Sequence, residues 1–280
     1  MTMTSWLESH RGETVIIKFG GNAMIDDELA RAFCDDVVAL GRAGIRAVIT
    51  HGGGPQISSE LIARGIRSEF RGGLRVTTSE AVHVVRDVLV RIGADLAAGL
   101  GAAGATASAL AGDEHALFTA ERAGTEVAGE RVDLGQVGEI TAVEPSAVLK
   151  VLDAGGIPVV SAIALGAGSE LLNVNADAAA ASLAVALDAD WLILLTDIAG
   201  LYRDWPNRDS LVGEIDAAQL ATLLPTLESG MIPKVAAALH AVQGGVGRAV
   251  IVDGRVPHVL LAEPFGASGT TITPAERVVS

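Results

Sequence analysis

The chain has 280 residues, half of them hydrophobic and only 3% aromatic, and a formal net charge of −14 at pH 7. That length suits one large α/β unit or two lobes sharing a sheet, with a core built mostly from Ala, Val, Leu and Ile. The acidic balance excludes nucleic acid and anionic membrane as general partners, so any site for an anionic substrate must be assembled locally from a few placed cations. The single cysteine, Cys34, excludes an internal disulfide framework and a Cys-based zinc cluster. It falls in a helical pattern and reads as a buried structural thiol.

In chain order, Met1 to Gly12 is polar and lacks the apolar core of a secretory signal. No later run reaches the roughly 18 apolar residues of a membrane span, so a cytoplasmic protein without membrane partners is expected. Short apolar runs then alternate with amphipathic ones. Strands are expected at Thr14–Phe19, Arg46–Thr50, Thr106–Leu110, Ile157–Ser161, Trp191–Thr196 and Ala249–Asp253. Helical periodicity fills Asp27–Arg42, Gln56–Arg64, Ser79–Ala98, Pro145–Asp153, Ala176–Leu187, Ala217–Leu224 and Lys234–Gln243. Continuous β-branched runs signal strands covered on both faces, hence an α/β fold: a three-layer αβα sandwich around a mainly parallel sheet. Gly112–Gly138 alternates less clearly and reads as an antiparallel hairpin flap. The best division falls near Leu187–Trp191, giving an N-terminal lobe at 1–188 and a C-terminal lobe at 189–280.

Two glycine turns leave short apolar strands and enter helices: Lys18-Phe19-Gly20-Gly21 and Thr50-His51-Gly52-Gly53-Gly54. Glycines there let backbone N–H groups approach an anion, and a helix N-terminus adds partial positive charge. Two such turns, with Lys18 inside the first, suggest phosphate chemistry.

Other motifs compete and fail. Gly99-Leu100-Gly101-Ala102-Ala103-Gly104 has the dinucleotide spacing but follows a helix and precedes a strand, so it reads as a helix C-terminal turn. His51 to Gly54 resembles an esterase oxyanion loop, yet the chain has no G-x-S-x-G elbow and no P-loop signature.

Four further segments add chemistry. Gly72-Gly73-Leu74-Arg75-Val76-Thr77 places an arginine, the natural bidentate clamp for a carboxylate, just before a long helix. A plain surface-turn arginine reads equally well from that segment alone. In Asn173-Val174-Asn175-Ala176-Asp177, Asn175 suits a helix cap, leaving Asn173 and Asp177 for other work. Leu195-Thr196-Asp197 to Tyr202 ends a buried strand where α/β sheets place ligands. Ser229-Gly230-Met231-Ile232-Pro233-Lys234 puts a lysine in a helix's first turn. The helix dipole disfavours it there by about 0.3–1 kcal/mol unless an anion lies nearby.

Together these segments resemble the amino-acid kinase family over Thr14–Gly254. Within it they are most similar to the actinobacterial form of the branch that acts on N-acetyl-L-glutamate. The resemblance rests on Lys18 to Met24, His51 to Gln56, Gly73 to Thr77, Asn173 to Asp177, Leu195 to Asp197 and Ser229 to Lys234. It rests also on Leu201-Tyr202-Arg203-Asp204-Trp205-Pro206. It implies transfer of the γ-phosphoryl group of ATP to a side-chain carboxylate, in arginine or ornithine biosynthesis. An ionised carboxylate needs no general base, so catalysis is positioning and charge neutralisation.

By the same resemblance, Lys18 stabilises the transferring phosphoryl group, Lys234 the leaving side, and Asp177 holds both lysines. Backbone N–H groups of Gly20, Gly21, Gly53 and Gly54 cradle phosphoryl oxygens, the last two also meeting the acceptor. Arg75 and Asn173 bind the α-carboxylate and amide of the acceptor. Thr196, Asp197, Tyr202 and Met231 line the ATP site. Mg2+ is expected to arrive on the ATP phosphates rather than at a metal site of the protein.

The family pattern breaks in four places. Glu263 to Thr271 is shorter than the family's Glu-x-Phe-Thr-Asp-x-Gly-x-Gly run and lacks its acidic pair, which weighs against arginine feedback. The short segment before the first strand weighs against a hexamer, leaving a homodimer as the expectation. Asp87 to Leu96 and the Gly112–Gly138 flap also differ, which keeps another N-acylated acidic amino acid or a specialised-metabolite carboxylate open as the acceptor. A non-catalytic sensor would require loss of a charged catalytic group, and Lys18, Asp177 and Lys234 are all present.

Overall fold

β-Branched and leucine-rich hexapeptides form the centre of the structure, because strands packed by helices on both faces must be apolar at every position. The computed structural model describes residues 7–24, 26–127, 130–228, 230–262 and 269–275. Met1 to Trp6, and most of the shortened run beginning at Glu263, lie outside them. The central strands are β1 (Thr14–Phe19), β2 (Arg46–His51), β5 (Ala107–Ala111), β8 (Ile157–Ser161), β11 (Trp191–Thr196) and β13 (Arg248–Asp253). With β12 (Glu214–Asp216) and β14 (Thr270–Thr273) they make an eight-stranded sheet in the order β12-β14-β13-β11-β1-β2-β8-β5. Pairing is parallel from β13 to β5, and β14 runs antiparallel to β13.

Helices cover both faces, so the expected three-layer α/β sandwich is what forms. One face carries α1 (Asp27–Arg42) and α3 (Ser79–Ala102), packed through Phe33, Val37, Val85 and Leu89 onto Val15, Ile17 and Ile49. Phe19 stacks on Phe33 at 3.9 Å between ring centroids, which closes the end of this layer nearest the glycine turns. The other face carries α4 (Ser146–Asp153), α5 (Ala176–Ala186), α6 (Ala217–Leu223) and α7 (Ile232–Gln243), packed onto Ile16, Val48 and Leu194. The inward face of α5 is almost all alanine, with Ala179, Ala180, Ala181 and Ala184 fully buried. Small side chains let this helix sit close to the sheet and to α7, which brings its first turn against β1. α2 (Gly54–Ala63) begins on the second glycine turn.

One part of the architecture was not foreseen. β6 (Phe118–Val127) and β7 (Glu130–Val143) form the antiparallel hairpin expected in the flap region, displaced towards its C-terminal end. They close with β9 (Ile163–Leu165) and β10 (Leu171–Val174) into a small four-stranded barrel. β9 and β10 have three and four residues, too short for alternation to register. A hairpin of β3 (Glu69–Arg71) and β4 (Leu74–Val76) was missed for the same reason. The Gly99–Gly104 run ends α3, with Ala103 as its C-cap and Gly104 in the left-handed region. Cys34 is buried, and burial raises its thiol pKa to about 11.

Candidate active site

Parallel pairing decides where the site lies. β11, β1 and β2 are neighbours with Lys18 level with Leu194 and Thr50, so their carboxyl ends finish together. Asp197, Gly20, Gly21 and the turn from Gly52 to Gly54 therefore meet at one edge. Gly21 has φ +71°, and a Cβ there would lie 3.1 Å from Asp197 Oδ1, so both its conformation and its neighbour require glycine. A Cβ on Gly53 would lie 2.6 Å from Ile92 Cδ1 of α3, so any side chain there would have to push the end of Ile92 aside. Gly54, the first residue of α2, has open space where its side chain would be.

The charged centre is a Lys–Asp–Lys array in which Lys18 and Asp177 are buried and Lys234 is half-buried. Asp177 sits in the first turn of α5, where Asn175 caps the helix by accepting from the N–H groups of Asp177 and Ala178. The capping reading and the functional reading of this segment therefore hold together. Lys18 Nζ lies 3.0 Å from Asp177 Oδ1, a charge contact, and Lys234 Nζ donates to Asp177 Oδ2 at 3.1 Å. Lys234 stands in the first turn of α7, and Asp177 is the anion that offsets the unfavourable helix dipole there. Burial pushes the Asp177 carboxyl up, but the facing charges of Lys18 and Lys234 outweigh it and hold the pKa below the usual carboxylate range. Two cations share one anion, so the array carries a surplus positive charge.

Two cavities flank this array. One, of about 270 Å³, is lined by Lys18, Gly20, Gly21, Gly52, Gly53, Gly54, Arg75, Asn173 and Asp177 among others. Arg75 is 7% exposed and donates to Gly54 O at 3.1 Å, to Ser58 Oγ at 2.8 Å and to Ser68 Oγ. Its guanidinium also lies over the Phe70 ring at 4.6 Å. No carboxylate among the described residues pairs with it within 4.0 Å. Burial lowers the Arg75 pKa from its ordinary value, and an incoming carboxylate would supply the missing counter-charge. Asn173 Nδ2 donates to Thr77 Oγ1 at 3.2 Å, and Thr77 Oγ1 donates to Arg75 O at 3.1 Å, tying the two expected acceptor groups together.

The second cavity, of about 450 Å³, is lined by Thr196, Asp197, Tyr202, Trp205, Met231 and Lys234 among others. All four expected nucleotide-site residues are in it. Tyr202 meets Trp205 edge to face at 5.2 Å. The residues lining the first cavity end at Asp177 and those lining the second begin at Thr196. A larger cleft of about 720 Å³ between α1 and α3, with Phe19 and Ile92 in its wall, holds neither lysine.

Sequence reasoning missed Ser58, Ser68, Phe70 and Trp205. Ser58 lies one helical turn after Gly54, a spacing that marks it as facing the same turn. Phe70 and Ser68 come from the overlooked β3–β4 hairpin, and no local pattern points them at Arg75. Among the described residues no group of three His, Cys, Asp or Glu side chains is disposed to hold a metal ion.

A parallel sheet ending in two glycine turns, with two lysines sharing one buried carboxylate between two cavities, defines a phosphoryl-transfer class of α/β protein. Residues 13–253 match the sequence profile of the amino acid kinase family, and the chain belongs to that family. It is 55% identical over 274 residues to the acetylglutamate kinase of Leifsonia xyli, covering 96% of this chain and 91% of that protein. The acetylglutamate kinase of Clavibacter michiganensis is 56% identical over 276 residues, covering 97% and 91%. Among solved structures, N-acetylglutamate synthase from Neisseria gonorrhoeae, complexed with coenzyme A and N-acetyl-glutamate, superposes with a TM-score of 0.82 at 25% identity. That match covers 97% of this chain and 62% of the synthase. Carbamate kinase from Giardia lamblia shares the fold, with a TM-score of 0.67 at 18% identity, covering 94% and 99%.

Proposed function

We propose that this chain is an ATP-dependent kinase that phosphorylates the side-chain carboxylate of N-acetyl-L-glutamate, a step of arginine and ornithine biosynthesis. The single observation that carries the chemistry is the Lys18–Asp177–Lys234 array, set between the two cavities with both turn glycines beside it. The acceptor's identity is carried by the actinobacterial acetylglutamate kinases that match at more than half of all positions across nearly the whole chain.

In this reading the acceptor lies in the smaller cavity, its α-carboxylate on Arg75 and its amide on Asn173. ATP lies in the larger one, between Tyr202, Met231 and the Thr196–Asp197 strand end. An oxygen of the acceptor's ionised γ-carboxylate attacks the γ-phosphorus, the bond to the β–γ bridging oxygen breaks, and ADP departs. No proton moves, so no side chain need act as a base. Lys18 faces the migrating phosphoryl group from the acceptor side and Lys234 faces the leaving side. The surplus positive charge of the array matches the charge spread over the transferring oxygens. Magnesium enters as the complex with ATP. The 1–188 lobe holds the acceptor and the 189–280 lobe the nucleotide, in a cytoplasmic homodimer. No helix among the described residues is long and apolar enough to cross a membrane.

The test is hydroxamate trapping of the acyl phosphate with MgATP and a panel of N-acyl acidic amino acids. Hydroxamate from N-acetyl-L-glutamate at the highest kcat/KM is expected. Turnover only with another acyl amino acid would move the acceptor assignment, and ATP binding with no turnover on any of them would overturn the kinase reading.

A further inference from the structure

His51 is fully buried at the end of β2, one residue before the glycine turn, and the phosphoryl-transfer chemistry above gives it no role. Its Nδ1 lies 3.0 Å from the carbonyl oxygen of Gly52. A carbonyl only accepts, so Nδ1 carries the ring proton. Nε2 is buried with no hydrogen-bond partner among the described residues, facing Gly93 of α3, where a Cβ would lie 3.1 Å from it. The ring is therefore walled in on the side away from the turn. Burial lowers its pKa to about 4, so it is a neutral, single-tautomer imidazole throughout the physiological range.

The Gly52 carbonyl belongs to the same peptide unit as the Gly53 N–H. In a trans peptide these two groups point in opposite directions. Drawing the carbonyl inward to the His51 ring therefore turns the Gly53 N–H the other way, towards the cavity that Gly52, Gly53 and Gly54 line. The turn itself leaves that peptide loose, since glycine gives it no side-chain restraint and Gly53 precedes the first helical residue of α2. We infer that His51 is a positioning residue that holds the Gly52–Gly53 peptide plane through its Nδ1–H and so aims the Gly53 N–H at the transferring phosphoryl group. This rests on the reading of the turn as a phosphoryl cradle. An orphaned lone pair on Nε2 is the cost of building the brace from an imidazole, whose rigid ring fixes the donor's direction.

The two imidazole nitrogens can be mimicked separately. The Asn Nδ2 reaches the place of His Nδ1, while the Gln Nε2 reaches the place of His Nε2 and leaves the Gly52 carbonyl unheld. His51→Asn is expected to keep kcat within about threefold of the parent in the hydroxamate assay. His51→Gln should lose about tenfold or more in kcat, with the KM for the acceptor changed less than about threefold. A merely structural role would lower both variants alike through the folded fraction, followed by thermal melts. Equal loss in the two, or full turnover in folded His51→Gln, overturns the inference. The unmodified protein supplies an independent readout, since 15N labelling of histidine reports the tautomer at pH 7. A protonated Nδ1 and a bare Nε2 are expected, and the opposite tautomer overturns the inference whatever the variants do. If the kinase reading on which the cradle depends is wrong, the parent protein forms no hydroxamate, a result distinct from either.

Discussion

Replacing Asp177 with asparagine keeps the shape of the side chain and removes the one negative charge shared by Lys18 and Lys234. At contacts of 3.0 and 3.1 Å, each pair attracts by roughly 5 kcal/mol at an effective dielectric of about 20, most of it offset by desolvation. Breaking a buried pair costs about 3–5 kcal/mol because a buried charge is left uncompensated. Lys234 is partly exposed and water softens its loss, so the lower end, about 3 kcal/mol, is expected. That corresponds to a fall in melting midpoint of roughly 6–12 °C for a domain of this size.

Turnover should suffer more than stability. With two mutually repelling ammonium groups and no anchor, both leave their positions, and a misplacement of about 1 Å costs on the order of 10²-fold. The acceptor KM should move less than about threefold, since Arg75 and Asn173 do not touch Asp177 in the hydrogen-bond network. Steady-state hydroxamate kinetics and a melt at pH 7 measure both quantities. A kcat within threefold of the parent would refute the idea that Asp177 organises the lysines. The array also has a sign in pH. The folded Asp177 pKa is depressed below its ordinary value near 4. Its contribution is therefore present above about pH 4 and lost as pH falls through the folded value, a loss the Asp177→Asn variant should not show.

Lys18→Ala and Lys234→Ala should each lower kcat by about 10²-fold or more, read in the same assay, as removal of one preorganised charge does; unchanged turnover would refute the lysine roles. Arg75→Ala should raise the KM for the acyl amino acid far more than that for ATP, and a change confined to ATP would place the arginine in the other cavity. Trp205 lines the nucleotide cavity and is 44% exposed, so ATP should change its fluorescence by covering the ring. Absence of any change in a Trp6→Phe, Trp191→Phe background would remove Trp205 from the site. The buried Asp36 of α1 accepts from His258 Nδ1 at 2.6 Å, and that hydrogen bond and charge raise the His258 pKa. Burial pushes the Asp36 carboxyl up while His258 pulls it back. Because the folded His258 pKa lies above the unfolded value, the bridge contributes fully below about pH 6.5 and is lost as pH rises through the folded pKa. The difference in melting midpoint between parent and His258→Ala should therefore shrink between pH 6 and pH 9, and a constant difference would refute the linkage.

The central strands and all seven main helices were legible to within one or two residues at their starts, because each has a long enough run for its period to show. Asn175 as a cap, Gly104 as a helix end and Lys234 as a cation at an unfavourable helix position were equally visible, being matters of one turn of backbone. The four-stranded barrel was not. Its strands β9 and β10 are too brief to alternate, and their pairing with β6 and β7 is set by contacts distant in sequence. Ser58, Ser68 and Phe70 stayed hidden for a related reason: nothing in a serine's neighbourhood tells which arginine it will meet.

By itself, the sequence determined the layers of the fold and the two glycine turns, since hydrophobic period and backbone freedom are properties of neighbouring residues. It also supplied an inventory of charged groups with no guarantee that they meet. Only the tertiary structure decided that Lys18 and Lys234, from two separate elements, each stand about 3 Å from Asp177 on a third. It alone turned His51 inward against the Gly52 carbonyl. Both arrangements depend on which strands lie side by side and on how closely an alanine-faced helix can approach them, and packing of that kind is settled only when the whole core closes.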